Sequence, residues 1–485
     1  MKLKKYFSIY SDLPVGAKAS IWFLMGNILQ KGMSTLTTPI FTRLMTSSEY
    51  GEYSVYTSWL SCLTVIVTLS LSSETILLGI VKHEDDVEKY VSSMQGLVTC
   101  LVTIGVIIYL PLHNYWESLF HLPARRVMAI FLSMWLATIY GYWNQRQRVN
   151  NAYKKMLVII IASAILHPCL GILAIKLLPI NTVDARIIAN LFLEAVLFGS
   201  LSISQWTRKR AFYNHLYWNE ALGQTIPLLP HYLSENILSV SDRVIIERLV
   251  GTSAAGIYSL SYSISMLMTI LSSAIVSTLQ PFLFRSLEHE DFSKTKQTCK
   301  IALLLVAGAN FMLVAVAPEI IKIFAPIEYT EAMYLIAPLA TSSALLFVYS
   351  VFSSIEFYYG KNQYMTLFSV LTALLNIGLN YMMIPIYGYV AAGYTTLISY
   401  LAYAGMHAFA SKKILEGKGI SVSHVFDIKS MVYIVLFLLI CNIGIKELYP
   451  YFALRYITIA IVALCGIIYL KKDKETIKQV LHKKI

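Results

Sequence analysis

Apolar runs of about 20 residues recur from one end of the chain to the other, and that is the length a helix needs to cross the hydrocarbon core of a bilayer. Segments of about 18 to 28 residues bounded by charges or turn residues number fourteen: 18–44, 53–80, 90–112, 125–145, 156–178, 185–206, 221–249, 257–284, 298–319, 331–355, 364–384, 390–411, 428–446 and 450–470. Composition agrees, with 57% hydrophobic residues against 14% charged over 485 positions and a mean hydropathy of +0.62. A soluble fold of this size needs far more charge on its surface, and a transmembrane β-barrel shows alternation rather than unbroken runs. The expected class is therefore an all-α polytopic membrane protein. Six cysteines lie far apart without C-x-x-C spacing and read as small hydrophobes. Residues 1–20 start basic but have no adequate apolar stretch before Pro14, so no cleaved signal is expected.

The 39 Lys and Arg exceed the 27 Asp and Glu, giving a net charge of +12. In a membrane protein this excess reports orientation before it reports nucleic acid. With fourteen spans both termini share one side. Placing them in the cytoplasm puts most of the basic residues there, in Arg146–Lys155, Arg208–Arg210, Arg285–Lys300, Lys412–Lys418 and the tail Lys471–Lys484. The opposite side then holds only Arg43, Arg125, Arg126, Lys176, Arg186, Arg248, Lys322, Lys446 and Arg455. No connection exceeds about 15 residues, which leaves no room for an extramembrane catalytic domain.

A repeat appears at an offset of 205 residues: Arg43-Leu44 to Gly51-Glu52-Tyr53-Ser54 aligns with Arg248-Leu249 to Gly256-Ile257-Tyr258-Ser259. It closes span 1 and span 7, so the halves are six helices apart and keep one orientation, as in a parallel repeat. The expected organisation is a six-helix lobe over 1–215, a second over 216–425, and two extra helices with a basic tail over 426–485. Two such lobes usually enclose a central cavity that opens alternately to each side.

Span 1 carries Asn27, Gln30, Lys31, Ser34 and Thr38 within about a third of the helix circumference. A Lys near the bilayer centre costs about 2.5 to 3.5 kcal/mol, so the stripe must face protein or water rather than lipid. Lys31 either meets a ligand or pairs with a buried carboxylate such as Glu194 or Glu74. Span 7 gathers His231, Glu235, Ser239, Asp242 and Arg243, with Pro227 and Pro230 in its first turns able to bend it. Arg243 has Glu247 one turn on as an internal partner, and ligand contact and ion pair stand equal. Thr372, Asn376 and Asn380 stack in span 11, where a cavity wall and an interhelical ladder are both possible readings. Glu74, Glu194, Glu356 and His167 are candidates for ion coupling, by protons or sodium. The sequence holds no P-loop, H-E-x-x-H, paired Cys/His set or G-x-S-x-G elbow, so neither ATP, a metal nor catalysis is expected.

Gly26-Asn27-Ile28-Leu29-Gln30-Lys31-Gly32, Thr38-Pro39-Ile40-Phe41-Thr42-Arg43-Leu44 and Glu49-Tyr50-Gly51-Glu52-Tyr53 strongly resemble the opening of the Wzx-type polysaccharide flippases, members of the multidrug/oligosaccharidyl-lipid/polysaccharide (MOP) exporter superfamily. Ser241-Asp242-Arg243 with Ala255-Gly256-Ile257-Tyr258-Ser259 is similar to their "DR … GxYs" stretch, and Pro385 to Gly393 to their "PxxGxxGA" turn, with Ala392-Gly393 in swapped order. The resemblance implies a MATE-like fold. It also implies transfer of undecaprenyl-diphosphate-linked oligosaccharides between the leaflets of the bacterial plasma membrane without ATP, alongside a polysaccharide polymerase and chain-length machinery. On this reading Lys31 and Arg243 offset the diphosphate charge while the neutral polar residues serve the sugar hydroxyls. The alternatives are a multidrug or cation antiporter, which would want acidic cavity residues; a peptidoglycan-precursor flippase; and a membrane polymerase or ligase, for which the longest outer loop, 113–124, is short.

Overall fold

The computed structural model describes residues 15–292 and 294–472. The first fourteen residues and the basic tail beyond residue 472, with the expectations that fell on them, lie outside that range. Among the described residues there is no strand. This follows from the solvent: hydrocarbon offers backbone amides no partner, so each spanning segment satisfies its own N–H and C=O groups by coiling into a helix. Among the described residues eight helices are long and apolar enough to cross a membrane by length and composition alone.

The first unit runs to Val244. It contains α1 (Val15–Leu44), α2 (Ser47–Thr68), α3 (Glu74–Lys82), α4 (Val87–Tyr109), α5 (His113–Phe120), α6 (Ala124–Val149), α7 (Tyr153–Leu177), α8 (Thr182–Arg208) and most of α9 (His215–Leu249). Helix α7 packs against both α1 and α8, and α8 against α6, which in turn meets α2 and α4. The second unit begins at Ile245. It contains α10 (Thr252–Glu288), α11 (Thr295–Ala315), α12 (Ala317–Phe324), α13 (Ala332–Tyr358), α14 (Asn362–Tyr387), α15 (Ala391–Glu416), α16 (Val422–Val425), α17 (Ile428–Glu447) and α18 (Phe452–Lys472). Helix α13 is its axis, packed on α10 and α15.

The fourteen expected spans each coincide with helix, and the repeat is exact in its boundaries. Helix α1 ends at Leu44 and α9 at Leu249; α2 starts at Ser47 and α10 at Thr252, both pairs 205 residues apart. The division between units, however, falls inside α9 and not ahead of it at residue 215. The polar face of α9 explains this. Trp218 Nε1 donates to the Ser93 carbonyl at 2.9 Å, Thr225 Oγ1 meets Thr75 Oγ1 at 2.7 Å, Tyr232 Oη donates to Glu74 Oε2 at 2.5 Å, and Asn236 Nδ2 donates to Ser61 Oγ at 2.6 Å. Four contacts spaced along the helix fasten it to α2, α3 and α4.

The expected span 53–80 is two helices. The chain breaks at Leu69 and Ser70, both with left-handed φ values of 54° and 53°, a conformation that costs a non-glycine residue about 1 kcal/mol or more. The break is held from α6. A Cβ on Gly141 would stand 2.6 Å from Ser72 Cβ, so only glycine lets the turn nest there, and Gln145 Nε2 donates to the Ser72 carbonyl at 3.4 Å.

The last two helices are fastened to the second unit. Asn442 Nδ2 donates to Asn310 Oδ1 at 2.8 Å and Thr341 Oγ1 at 2.7 Å, joining α17 to α11 and α13. Arg455 on α18, 2% exposed, pairs with Glu319 on α12. It acts as an internal tie rather than a surface anchor, and removing one partner of such a pair strands a buried charge. Two variants follow from this packing. A Cβ at Gly96 would lie 1.9 Å from the Phe212 carbonyl oxygen, where the 209–214 connection crosses α4; Gly96→Ala should therefore lower stability by about 2 kcal/mol. Glu319→Ala should cost about 3 kcal/mol. Thermal unfolding of the purified protein in detergent reads both, and an unshifted midpoint refutes either assignment.

Candidate functional site

The polar stripe of α1 divides along its length. Gln30 and Ser34 are exposed, whereas Thr38 is buried and donates to the Ser34 carbonyl at 3.0 Å. The side chains of Asn27 and Lys31 lie outside the described residues. On α9, Ser239 and Arg243 continue the stripe that carries Tyr232 and Asn236, while His231, Glu235 and Asp242 lie on the face beside it: His231 and Ser239 are half-buried, Glu235 is exposed and Asp242 is buried. Arg243 is half-buried, and its Nη1 donates to the Ser239 carbonyl at 3.3 Å. Pro227 and Pro230 both sit inside this continuous helix.

Asn376 and Asn380 lie wholly within the second unit at 0% exposure. Asn380 Nδ2 donates to Asn376 Oδ1 at 3.3 Å, Asn376 Nδ2 to Thr396 Oγ1 at 3.4 Å, and the Thr395 hydroxyl to Asn380 Oδ1. Together with buried Thr372, whose hydroxyl turns back to the Phe368 carbonyl, they form the ladder between α14 and α15. These contacts are the interhelical use of such residues.

The ion-coupling candidates separate. Glu74 is exposed at the start of α3 and is held by Tyr232. Glu194 and His167 come together on one seam of the first unit. Glu194 accepts from Ser133 Oγ at 2.6 Å; His167 Nδ1 lies 3.2 Å from Asn190 Oδ1, and Asn190 Nδ2 donates to Tyr53 Oη at 2.9 Å. Arg186, Asn190 and Glu194 repeat at i, i+4 and i+8 on α8, so they share one face. That spacing is present in the sequence, where Arg186 reads only as one of the few basic residues of the outer side. In the second unit, Glu356 and His407 make a fully buried pair, Oε1 to Nδ1 at 2.8 Å, among Tyr349, Phe368 and Tyr403. Contact between α13 and α15, far apart in sequence, creates it.

Where α2, α6 and α8 begin, the charges are tightly matched. Arg126 Nε donates to Asp184 Oδ1 at 2.8 Å and its Nη1 to Glu52 Oε2 at 3.0 Å, while Arg125 Nη2 reaches Asp184 Oδ2 at 2.5 Å. Glu49 closes a capping box with Thr46 and accepts from Thr182 Oγ1 at 2.5 Å. Burial alone would raise its carboxyl, but the Thr182 and Thr46 hydrogen bonds outweigh it and hold Glu49 below the usual 4.5. At the other end of the unit, Glu220 takes His83 Nε2 at 2.7 Å and the Lys82 ammonium, and Arg208 Nη1 meets Glu88 Oε1 at 3.1 Å. On the side of the unit formed by α4, α6 and α8, an apolar groove of about 510 Å³ runs past Val102, Val106, Phe131 and Trp135 to Arg125. Among the described residues no group of His, Cys, Asp and Glu could hold a metal ion.

A multi-pass helical fold with internal cations and polar seams defines an integral membrane protein. The model of the polysaccharide biosynthesis protein family matches residues 17–287, more than half of the chain, and the chain belongs to that family. A Lsg-locus protein of Haemophilus influenzae is 22% identical over 404 residues, covering 80% of this chain and 94% of its own. Among solved structures, the lipid II flippase MurJ in an inward closed conformation aligns with a TM-score of 0.71 at 14% identity, over 94% of this chain and 99% of that one. A MOP superfamily transporter from Pyrococcus furiosus, noted for the reverse polarity of its binding pocket, aligns with a TM-score of 0.55 at 14% identity, over 83% and 95%. The MATE-like fold anticipated from the opening motifs is therefore the fold observed.

The Glu49 cap carries a pH signature. A carboxyl depressed in the folded state contributes stability above its unfolded value and loses it as pH falls through the folded one. Glu49→Ala should cost about 1 kcal/mol at neutral pH. The difference in unfolding midpoint from wild type should shrink as the pH drops below 4.5; a gap that is constant down to pH 3 would count against the assignment.

Proposed function

We propose that the protein is a flippase that moves undecaprenyl-diphosphate-linked oligosaccharide repeat units from the cytoplasmic to the outer leaflet of the bacterial plasma membrane, by alternating access, for surface polysaccharide synthesis. The observation that carries this is the conjunction of a polysaccharide biosynthesis family match with a fold shared by a lipid II flippase. The physical problem fits. A diphosphate head with sugars brings about two negative charges and many hydroxyls into hydrocarbon, so it needs cations and neutral donors inside the membrane while its tail stays in lipid.

Lys31 on α1 and Arg243 on α9 supply cations at corresponding helices of the repeat, with Asn27, Gln30 and Ser34 as hydroxyl partners. Asp242 and Glu235 would orient the cations. Within the second unit, Asn376 and Asn380 brace α14 against α15. Glu74, Glu194 and His167 are the candidates to couple transport to protons or sodium. The basic bias of the even-numbered connections supports cytoplasmic termini in the plasma membrane. A polymerase and chain-length machinery would use the exported units. The fold of the lipid II flippase favours one second reading, a peptidoglycan-precursor flippase, which shares the diphosphate and differs in the sugar.

Binding of undecaprenyl-diphosphate oligosaccharide to the protein in nanodiscs tests the reading. Wild type should bind with an affinity that falls with salt, and Lys31→Ala and Arg243→Ala should each weaken it several-fold and flatten the salt dependence. No binding by wild type would overturn the cargo. Preference for lipid II over repeat-unit donors would favour the second reading.

A further inference from the structure

Arg186 is held unlike the other described cations of the first unit's charged ends. Its guanidinium carbon lies 3.5 Å from the ring centroid of Phe41 on α1 and 3.7 Å from that of Tyr53 on α2, so both faces of the planar group are covered. The fit is close on the far side too: a Cβ on Gly171 of α7 would stand 3.2 Å from the Phe41 ring and 3.8 Å from Arg186 Cγ. What remains open is the edge, where the N–H donors point in the plane. Among the described residues the one polar contact of that edge is Nη1 to Met45 Sδ at 3.8 Å, and sulfur is a weak acceptor.

Nearby carboxylates are committed elsewhere. Asp184 spends both oxygens on Arg125 and Arg126, Glu52 accepts from Arg126, Glu49 accepts from Thr46 and Thr182, and Glu194, two turns along α8, accepts from Ser133. Asn190, one turn along, is occupied by Tyr53 and His167. Among the described residues Arg186 makes no ion pair. The residue is half-buried, so part of it still faces outward.

A guanidinium stripped of water on both faces, fixed in orientation and lacking a carboxylate, keeps a full charge and an in-plane fork that matches two oxygens of a phosphate. Stacking has already frozen its rotamers, which removes part of the entropy cost of gripping an anion. We propose that Arg186 is an oxyanion-binding residue of the first unit that grips the diphosphate head of the lipid-linked cargo, at the α8 end marked by Arg125 and Arg126. This inference rests on the flippase reading and adds to it a site built from Phe41, Tyr53 and Arg186.

The test uses the full-length protein in phosphatidylcholine nanodiscs with undecaprenyl diphosphate, lacking sugars, as the probe. Wild type should bind it, inorganic diphosphate should compete, and phosphatidylglycerol should not. Arg186→Gln should weaken binding at least ten-fold. Arg186→Lys keeps a cation over the rings without the planar fork; it should hold its unfolding midpoint within a few degrees and still lose several-fold in affinity. A wild-type protein that binds while Arg186→Lys and Arg186→Gln bind equally well would make Arg186 a purely structural pin and leave the flippase reading standing. Should Arg186→Gln fail to fold, unchanged affinity in Arg186→Lys alone overturns the proposal. Equal competition by phosphatidylglycerol overturns the diphosphate assignment, and absence of binding by wild type removes both the inference and the reading beneath it.

Discussion

Hydrocarbon gives a polar group nothing to bond to, and the structure answers that constraint at two scales. At the scale of the backbone it forces helix wherever the chain crosses the bilayer. At the scale of side chains it forces every internal charge to find a partner, a neutral donor or an aromatic face. The buried Arg126 with Asp184 and Glu52, Arg455 with Glu319, and Glu356 with His407 are three solutions of the first kind. Arg186 between Phe41 and Tyr53 is a different solution, because aromatic faces stabilise the cation without neutralising it.

The distribution of these solutions shapes each unit. In the first, ionic matching concentrates at the two ends of the helices, where Glu49, Glu52, Arg125, Arg126 and Asp184 meet at one end and Lys82, His83, Glu88, Arg208 and Glu220 at the other. Between them run neutral contacts such as Asn236 to Ser61 and Asn190 to Tyr53. In the second unit the ties are deeper: Asn310, Thr341 and Asn442 join three helices at full burial, and the Asn376–Asn380 ladder joins two more. Weak interhelical hydrogen bonds are worth having in a membrane because apolar packing there gains nothing from expelling water.

Much of this was legible in the residues. The period and length of the apolar runs gave the helices, and the match of Arg43-Leu44 with Arg248-Leu249 located equivalent helix ends to the residue. Less legible were the break at Leu69 and Ser70, which depends on the missing side chain of Gly141 seventy residues on, and the allegiance of α9. Polar residues on α9 announced that the helix had something to face, but not that Thr225, Tyr232 and Asn236 would be spent on α2 and α3.

The sequence by itself determined that this chain is a multi-pass helical membrane protein and that the helix ends at Leu44 and Leu249 correspond, because those properties follow from local solvation and from similarity along the chain. Only the tertiary structure decided which polar residue is a tie and which is available. Asn376 reads from the sequence as a cavity residue or a tie, and the structure answers its amide with Thr396. Arg186 looked like a topology marker until two aromatic rings from helices more than a hundred residues away closed over it. Whether a charge is neutralised depends on what stands within about 4 Å of it, and for residues this far apart along the chain that is a property of packing alone.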